Sequence, residues 1–162
     1  MPGCFLNASG GNFDVDAFMA QSTWRGSASV FRKGEPSQLR DRPVLDHSRL
    51  GVRVSDSDQD ALGPQIRDAM NFLDQERSEI QRLAAFAGLE CLELRIGLFW
   101  HSDTLCQVHT LPPEFLRLAA DLGVAVTLCI YAASGEPEAG APPNGGSAEP
   151  LGNSGVGGGR HR

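Results

Sequence analysis

No stretch of this chain approaches the roughly 18 consecutive apolar residues that a bilayer-crossing helix needs. Its first residues carry neither a basic region nor a continuous apolar run of the secretory kind. These two shortages predict a cytoplasmic protein that does not enter a membrane. Cations are also scarce: 14 Lys and Arg face 20 Asp and Glu, the formal net charge is -6, and Lys33 is the one lysine. Phosphate recognition needs Lys and Arg gathered on one face, so nucleic acid is excluded as the expected partner, and a basic or neutral partner fits better. Cysteine is sparse. Cys4, Cys91, Cys106 and Cys129 show neither the close pairing of a zinc knuckle nor the density of a disulfide scaffold. Reduced thiols are expected, and the three that lie within apolar runs, Cys91, Cys106 and Cys129, are expected to pack as small hydrophobes. Walker-type and dinucleotide-binding glycine patterns are missing, and Gly10-Gly11 reads as a turn. No cofactor is expected.

What is present suits one soluble domain. The chain has 162 residues, 41% hydrophobic and 21% charged, enough to bury a single core. From Ser134 onward the composition turns to Gly, Pro, Ala, Ser and Asn, with Leu151 and Val156 as the last large apolar residues. Such a segment cannot bury enough to offset its chain entropy. The reading is therefore a domain over residues 1–133 and a disordered Gly/Pro/Ser-rich tail over 134–162.

Periodicity places the elements. Phe13 to Met19 reads as a capped amphipathic turn, and Ser29–Arg32 and Leu50–Ser55 read as short strands around a charged loop. Ile66, Met70, Leu73, Ile80, Leu83 and Ala84 recur at helical steps, which predicts one long helix from Pro64 to Ala87, entered through Ser55-Asp56-Ser57-Asp58 and ended by Gly88. Its charged residues, Arg67 through Arg82, read as a solvated face with helix-spaced ion pairs. Leu92, Leu94, Ile96, Leu98 and Trp100 alternate with Glu93, Arg95, Gly97 and Phe99, as a strand with one buried face requires. His101-Ser102-Asp103-Thr104 then predicts a hairpin turn into a return strand, Leu105–Leu111. A helix with Phe115, Leu116, Leu118, Ala119 and Leu122 on its apolar side follows, ended by Gly123, and Val124–Tyr131 alternates as a last strand. Strands interleaved with helices and a hairpin predict an α+β fold: a mixed or antiparallel sheet with helices packed on one face, a ferredoxin-like or related sandwich.

Four motifs, Phe13-Asp14-Val15-Asp16-Ala17-Phe18, Phe31-Arg32-Lys33-Gly34-Glu35-Pro36, Gly97-Leu98-Phe99-Trp100 and Leu111-Pro112-Pro113-Glu114-Phe115-Leu116-Arg117-Leu118-Ala119, occur in that order. Over residues 4–133 the chain thereby resembles a family of small bacterial domains of unknown function. The resemblance implies a bacterial α+β domain acting as a small binding or immunity-type protein, and it carries no catalytic set.

Candidate sites are few. Arg32, Lys33 and Glu35 surround Gly34 at a strand exit, where a guanidinium fork and a backbone amide could hold a carboxylate or phosphate. The simpler reading is a turn in which Arg32 pairs with a local carboxylate. His101, Asp103 and His109, on the predicted hairpin, are the acid-base candidates of an alternative reading, an enzyme or small-ligand binder with a cleft beside residues 100–109. Residues adjacent in a turn rarely reach the geometry of a Ser-His-Asp mechanism, and a polar hairpin tip explains them. His101, Cys106 and His109 offer zinc-type ligands, but alternation along a strand points Cys106 and His109 to opposite faces, so no metal is expected. Asp56, Asp58 and Asp60 resemble the start of a calcium loop that lacks its glycine and its final acid, and they fit better as an acidic helix entrance. Trp24 and Trp100 would serve as partner anchors if exposed, with Trp100 expected to close the core. The leading expectation is a non-enzymatic module that binds another protein, with the Arg32–Pro36 turn and the 34–48 loop as its contact surface. The sequence does not determine its oligomeric state.

Overall fold

The structure, a computed structural model, describes residues 3–37, 44–58, 61–100 and 105–132. The central element is β1 (Cys4–Gly10), whose burial alternates strictly. Cys4, Leu6 and Ala8 face the core, while Phe5, Asn7 and Ser9 face away from it. β1 is followed by α1 (Val15–Met19), which Asp14 caps by accepting from the Ala17 amide at 2.9 Å, as the Asp-rich motif requires. Then come β2 (Ser29–Phe31) and β3 (Ser48–Ser55). The helical segment is split into α2 (Leu62–Gln75) and α3 (Arg77–Ala84), and the order closes with β4 (Cys91–Trp100), α4 (Pro113–Asp121) and β5 (Ala125–Ala132).

The five strands form one mixed sheet in the order β2-β3-β1-β4-β5. β1 is antiparallel to both β3 and β4, β2 is antiparallel to β3, and β5 runs parallel to β4. The α+β class and the mixed sheet agree with the expectation. Residues 105–112 are irregular, so the expected return strand Leu105–Leu111 does not form. The physical reason is the neighbour: the side of β4 that a hairpin would occupy is taken by β5, joined to it by the α4 crossover that a parallel pair demands.

Helices cover one face. Leu6, Leu50, Val52, Leu94, Ile96 and Leu98 point into a core completed by Ile66, Ala69, Leu73, Ile80, Leu83, Phe115 and Ala119. The long helix breaks at Glu76, whose backbone leaves helical geometry at φ -96°, ψ 14°. No Gly or Pro stands there. Glu76 instead accepts a hydrogen bond from the Trp24 indole at 3.0 Å, while Glu79 accepts from the Ser22 hydroxyl and the Thr23 amide. Asp68 accepts from Ser55 and Ser57. The acids expected to form a purely solvated face therefore fasten the helices to the segments that precede them, although Asp74–Arg77 and Glu79–Arg82 are also helix-spaced ion pairs. The helix entrance differs too: α2 starts at Ala61 with no side-chain cap.

α3 ends at Ala84, short of the expected Ala87, and Gly88 takes φ +81° in the turn that follows, where a side chain would meet the Asn12 carbonyl oxygen at 2.1 Å. Trp24 is buried and stacks on Phe72, while Trp100 is half-buried. The core tryptophan is thus Trp24, because its segment folds over Phe18 and Phe72. Leu116, 43% exposed, is not on the buried side of α4. Of the described helices, none is long and apolar enough to cross a membrane.

Candidate functional site

The other face of the sheet is uncovered by any described helix, and strand pairing arranges its side chains in rows. One row runs Phe31, Arg49, Ser9, Cys91 across β2, β3, β1 and β4. The next runs Ser29, Gly51, Asn7, Glu93, Ala125, and a third runs Arg53, Phe5, Arg95, Thr127. These are the alternate positions of the strands whose other residues build the core, so burying one face necessarily presents the other.

The first row, with Gly51, Asn7 and Glu93 of the second and Arg95 of the third, lines a basin of about 670 Å³, walled on one side by Pro36, Ser37 and residues 45–47. Its centre is shallowest in side chain at Gly51, where an added Cβ would find its nearest neighbour, Asn7 Oδ1, at 3.5 Å. Phe31 is 48% exposed at one rim. The charged groups hold one another in place. The Arg95 guanidinium donates to Glu93 Oε1 at 2.7 Å, and Thr127 donates to Glu93 Oε2 at 2.7 Å. At the loop end, His47 lies 2.9 Å from Asp46 and 3.4 Å from Glu90, and Glu90 also accepts from the Gly11 amide. Arg49 approaches Asp46 at 3.9 Å.

Cys91 is exposed at the end of the first row, and Cys106 is exposed as well, contrary to the expectation that both pack as hydrophobes. For Cys91 the reason is parity: Leu92 takes the core side of β4, which leaves Cys91 on the open side. Desolvation, and then the Glu93 charge, push its thiol above the ordinary value, so it is held as a weakly nucleophilic thiol. Cys4 is buried, and desolvation pushes it up to about 12.

Arg32, Lys33 and Glu35 are brought together as a self-contained turn. Arg32 forks onto Asp16 at 2.7 and 2.8 Å, and its Nη1 reaches Glu35 Oε1 at 3.2 Å. Glu35 also accepts from the Arg32 amide, and Lys33 Nζ donates to the Gly11 carbonyl at 3.0 Å. Gly34 sits at φ +87°, where a glycine is favoured. Hydrogen bonding to Arg32 holds the Asp16 carboxyl below its ordinary range, and bonds from the Arg32 amide and then its side chain do the same for Glu35. The turn continues through Pro36, which bridges to Val44, into the wall of the basin.

His101, Asp103 and Asp60 lie outside the described residues. His109 sits in the irregular segment before α4, where its Nε2 and Gln107 Oε1 are buried with no hydrogen-bond partner among the described residues. Gln107 Nε2 donates to the Phe99 carbonyl. Asp56 pairs with Arg53 at 3.0 Å. Among the described residues, no group of three His, Cys, Asp or Glu is placed to hold a metal ion. The strand residues of the basin were ones sequence reasoning did not single out, and the signal for them was the polar half of each strand's alternation, whereas the wall residues lie in the 34–48 loop that it did name. No known protein family, curated protein or solved structure matches this chain.

Proposed function

We propose that this chain is a non-enzymatic protein-binding module that presents the uncovered face of its sheet, with the Arg32–Pro36 turn as a positioning element of the wall. One observation carries the reading: no described helix covers this face of the sheet, and part of it forms an open basin of about 670 Å³. Its rim offers an aromatic ring and an arginine, Phe31 and Arg49, the residue types that anchor protein interfaces. Its acids and bases are engaged with one another, Glu93 with Arg95 and Thr127, and its thiol is held protonated, which suits a recognition surface better than a reacting centre.

The test is a quantitative capture experiment with the full chain in lysate of the source organism. Gly51→Phe, which fills the floor with a residue that strands accept, should abolish capture of a stoichiometric protein. Arg32→Ala/Glu35→Ala, which loosens the wall, should weaken it. Undiminished capture by Gly51→Phe would remove the basin from the interface, and failure of the wild-type chain to retain any protein would overturn the module reading.

A second reading, a small ligand beside residues 105–109, rests on the two buried orphan atoms of Gln107 and His109. Thermal-shift hits from a metabolite screen that vanish in His109→Phe and persist in Gly51→Phe would favour it. Hits lost in neither variant would remove it.

A further inference from the structure

We infer that two copies of this chain join edge to edge along β5. The two edges of the sheet are built differently. β2 is three residues long and runs into Arg32, Lys33 and Pro36, and shortness, charge and proline are the devices that blunt an edge. β5 has eight residues, Ala125-Val-Thr-Leu-Cys-Ile-Tyr-Ala132, with no charge, no Gly, no Pro and no register shift against β4. Among the described residues no strand pairs with its outer side. Ile130 is 54% and Tyr131 49% exposed, on opposite faces of that strand. Of the seven exposed large hydrophobic residues among the described ones, five lie between Leu105 and Tyr131.

The occupant is a second copy because the strand is complementary to itself. An antiparallel pair with a two-fold axis at Leu128 keeps each side chain on its own face. It sets Leu128 opposite Leu128 and Val126 opposite Ile130 on the helix side, and Thr127 opposite Cys129 and Ala125 opposite Tyr131 on the open side. Every pair is uncharged, and the largest side chain meets the smallest. The chain runs on beyond Ala132 to Arg162, and in the antiparallel arrangement these two continuations leave at opposite ends of the joined strands. From Ser134 onward the sequence is rich in Gly, Pro, Ala, Ser and Asn and poor in the β-branched and aromatic residues that strands favour. The result is a continuous ten-stranded sheet with both basins on one side. Each copy carries a net charge of -6, so general repulsion opposes a contact whose own ladder is neutral, and salt should tighten the dimer.

The experiment is sedimentation velocity on the full chain over a wide concentration range at low and high salt, paired with hydrogen exchange. The expected result is a reversible doubling of the 17.3 kDa mass, favoured by salt, with concentration-dependent protection of the 125–132 amides. Ile130→Lys and Tyr131→Glu, which place a charge on either face of the same edge, should each weaken dimerisation at least about tenfold, because an unpaired charge would be buried. Their far-UV circular dichroism should be unchanged, and Gly51→Phe should dimerise as the wild type does, which separates this contact from the basin. A chain that stays monomeric throughout would overturn the inference. So would β5 protection independent of concentration, which would mean another part of the same chain covers the edge, or a dimer unaffected by both charge variants.

Discussion

Glu79 shows how much one side chain can organise. It pairs with Arg82 at 2.7 Å and accepts from Ser22 and Thr23, with its side chain only 11% exposed. Hydrogen bonding to Arg82 is the largest cause holding its carboxyl below the ordinary value of 4.5. A carboxylate with a lowered folded value contributes stability that is present above the ordinary value and is lost as pH falls through the folded one. Glu79→Gln should therefore cost about 1–3 kcal/mol at pH 7. The gap between its urea midpoint and that of the wild type should narrow below pH 4.5. A gap that is constant with pH would mean the ionised form is not what counts. Gly88 is a second single-residue requirement, since any Cβ would collide with Asn12 backbone and its φ is positive. Gly88→Ala should lower stability by more than the ~1 kcal/mol that Gly→Ala gains at a backbone position compatible with alanine, read as a urea midpoint shift at unchanged slope. These two residues were unequally legible. Gly88 was visible as a left-handed turn position, although the helix stops before it at Ala84, whereas Glu79 looked like any exposed helix charge, because Ser22 and Thr23 lie 57 and 56 residues away.

At the scale of elements, parity decides what each strand shows. β4 was readable from its alternation, down to the fact that Glu93 and Arg95 share a face, but its two neighbours were not. The parallel partner β5 is reached through α4, and residues 105–112 connect rather than pair. Alternation records which side of a strand is buried and carries no information about which strand lies beside it. The same parity predicts thiol behaviour. In the native protein Cys91 and Cys106 should be labelled by a small alkylating reagent, whereas Cys4, buried and pushed up to about 12, should react only after unfolding. Mass mapping of the labelled sites checks this, and early labelling of Cys4 would contradict the placement of β1 in the core. The break at Glu76 belongs to this scale too. Periodicity ran through it without interruption because Ile80 and Leu83 continue the buried stripe of α2.

Across the whole molecule, an aromatic cluster locks the early segments to the helical layer. Phe18 meets Phe13, Trp24 and Phe86 with ring centroids 5.4–6.2 Å apart, and the Arg82 guanidinium lies 3.9 Å from its ring centroid. Phe18→Ala should cost about 3–5 kcal/mol, read from a thermal or urea transition, and a loss below 1 kcal/mol would show that the cluster is not the clamp. The described residues are one-sided: helices on one face, an open basin on the other, and no described strand on the outer side of β5. Several of the molecule's properties are determined by the sequence alone. These are the α+β class, the positions of β4 and of α4 with Gly123 at its end, the left-handed turn at Gly88, and the turn at Arg32–Pro36, because each depends on local periodicity, backbone conformation or neighbours a few residues apart. The order of the strands, the exposure of Cys91, the burial of Trp24 and the convergence of Phe31, Arg49, Asn7 and Glu93 on one basin were decided only by the tertiary structure. Strand pairing joins residues far apart in the chain, and nothing in local sequence specifies which uncovered face or edge will remain once the core has closed.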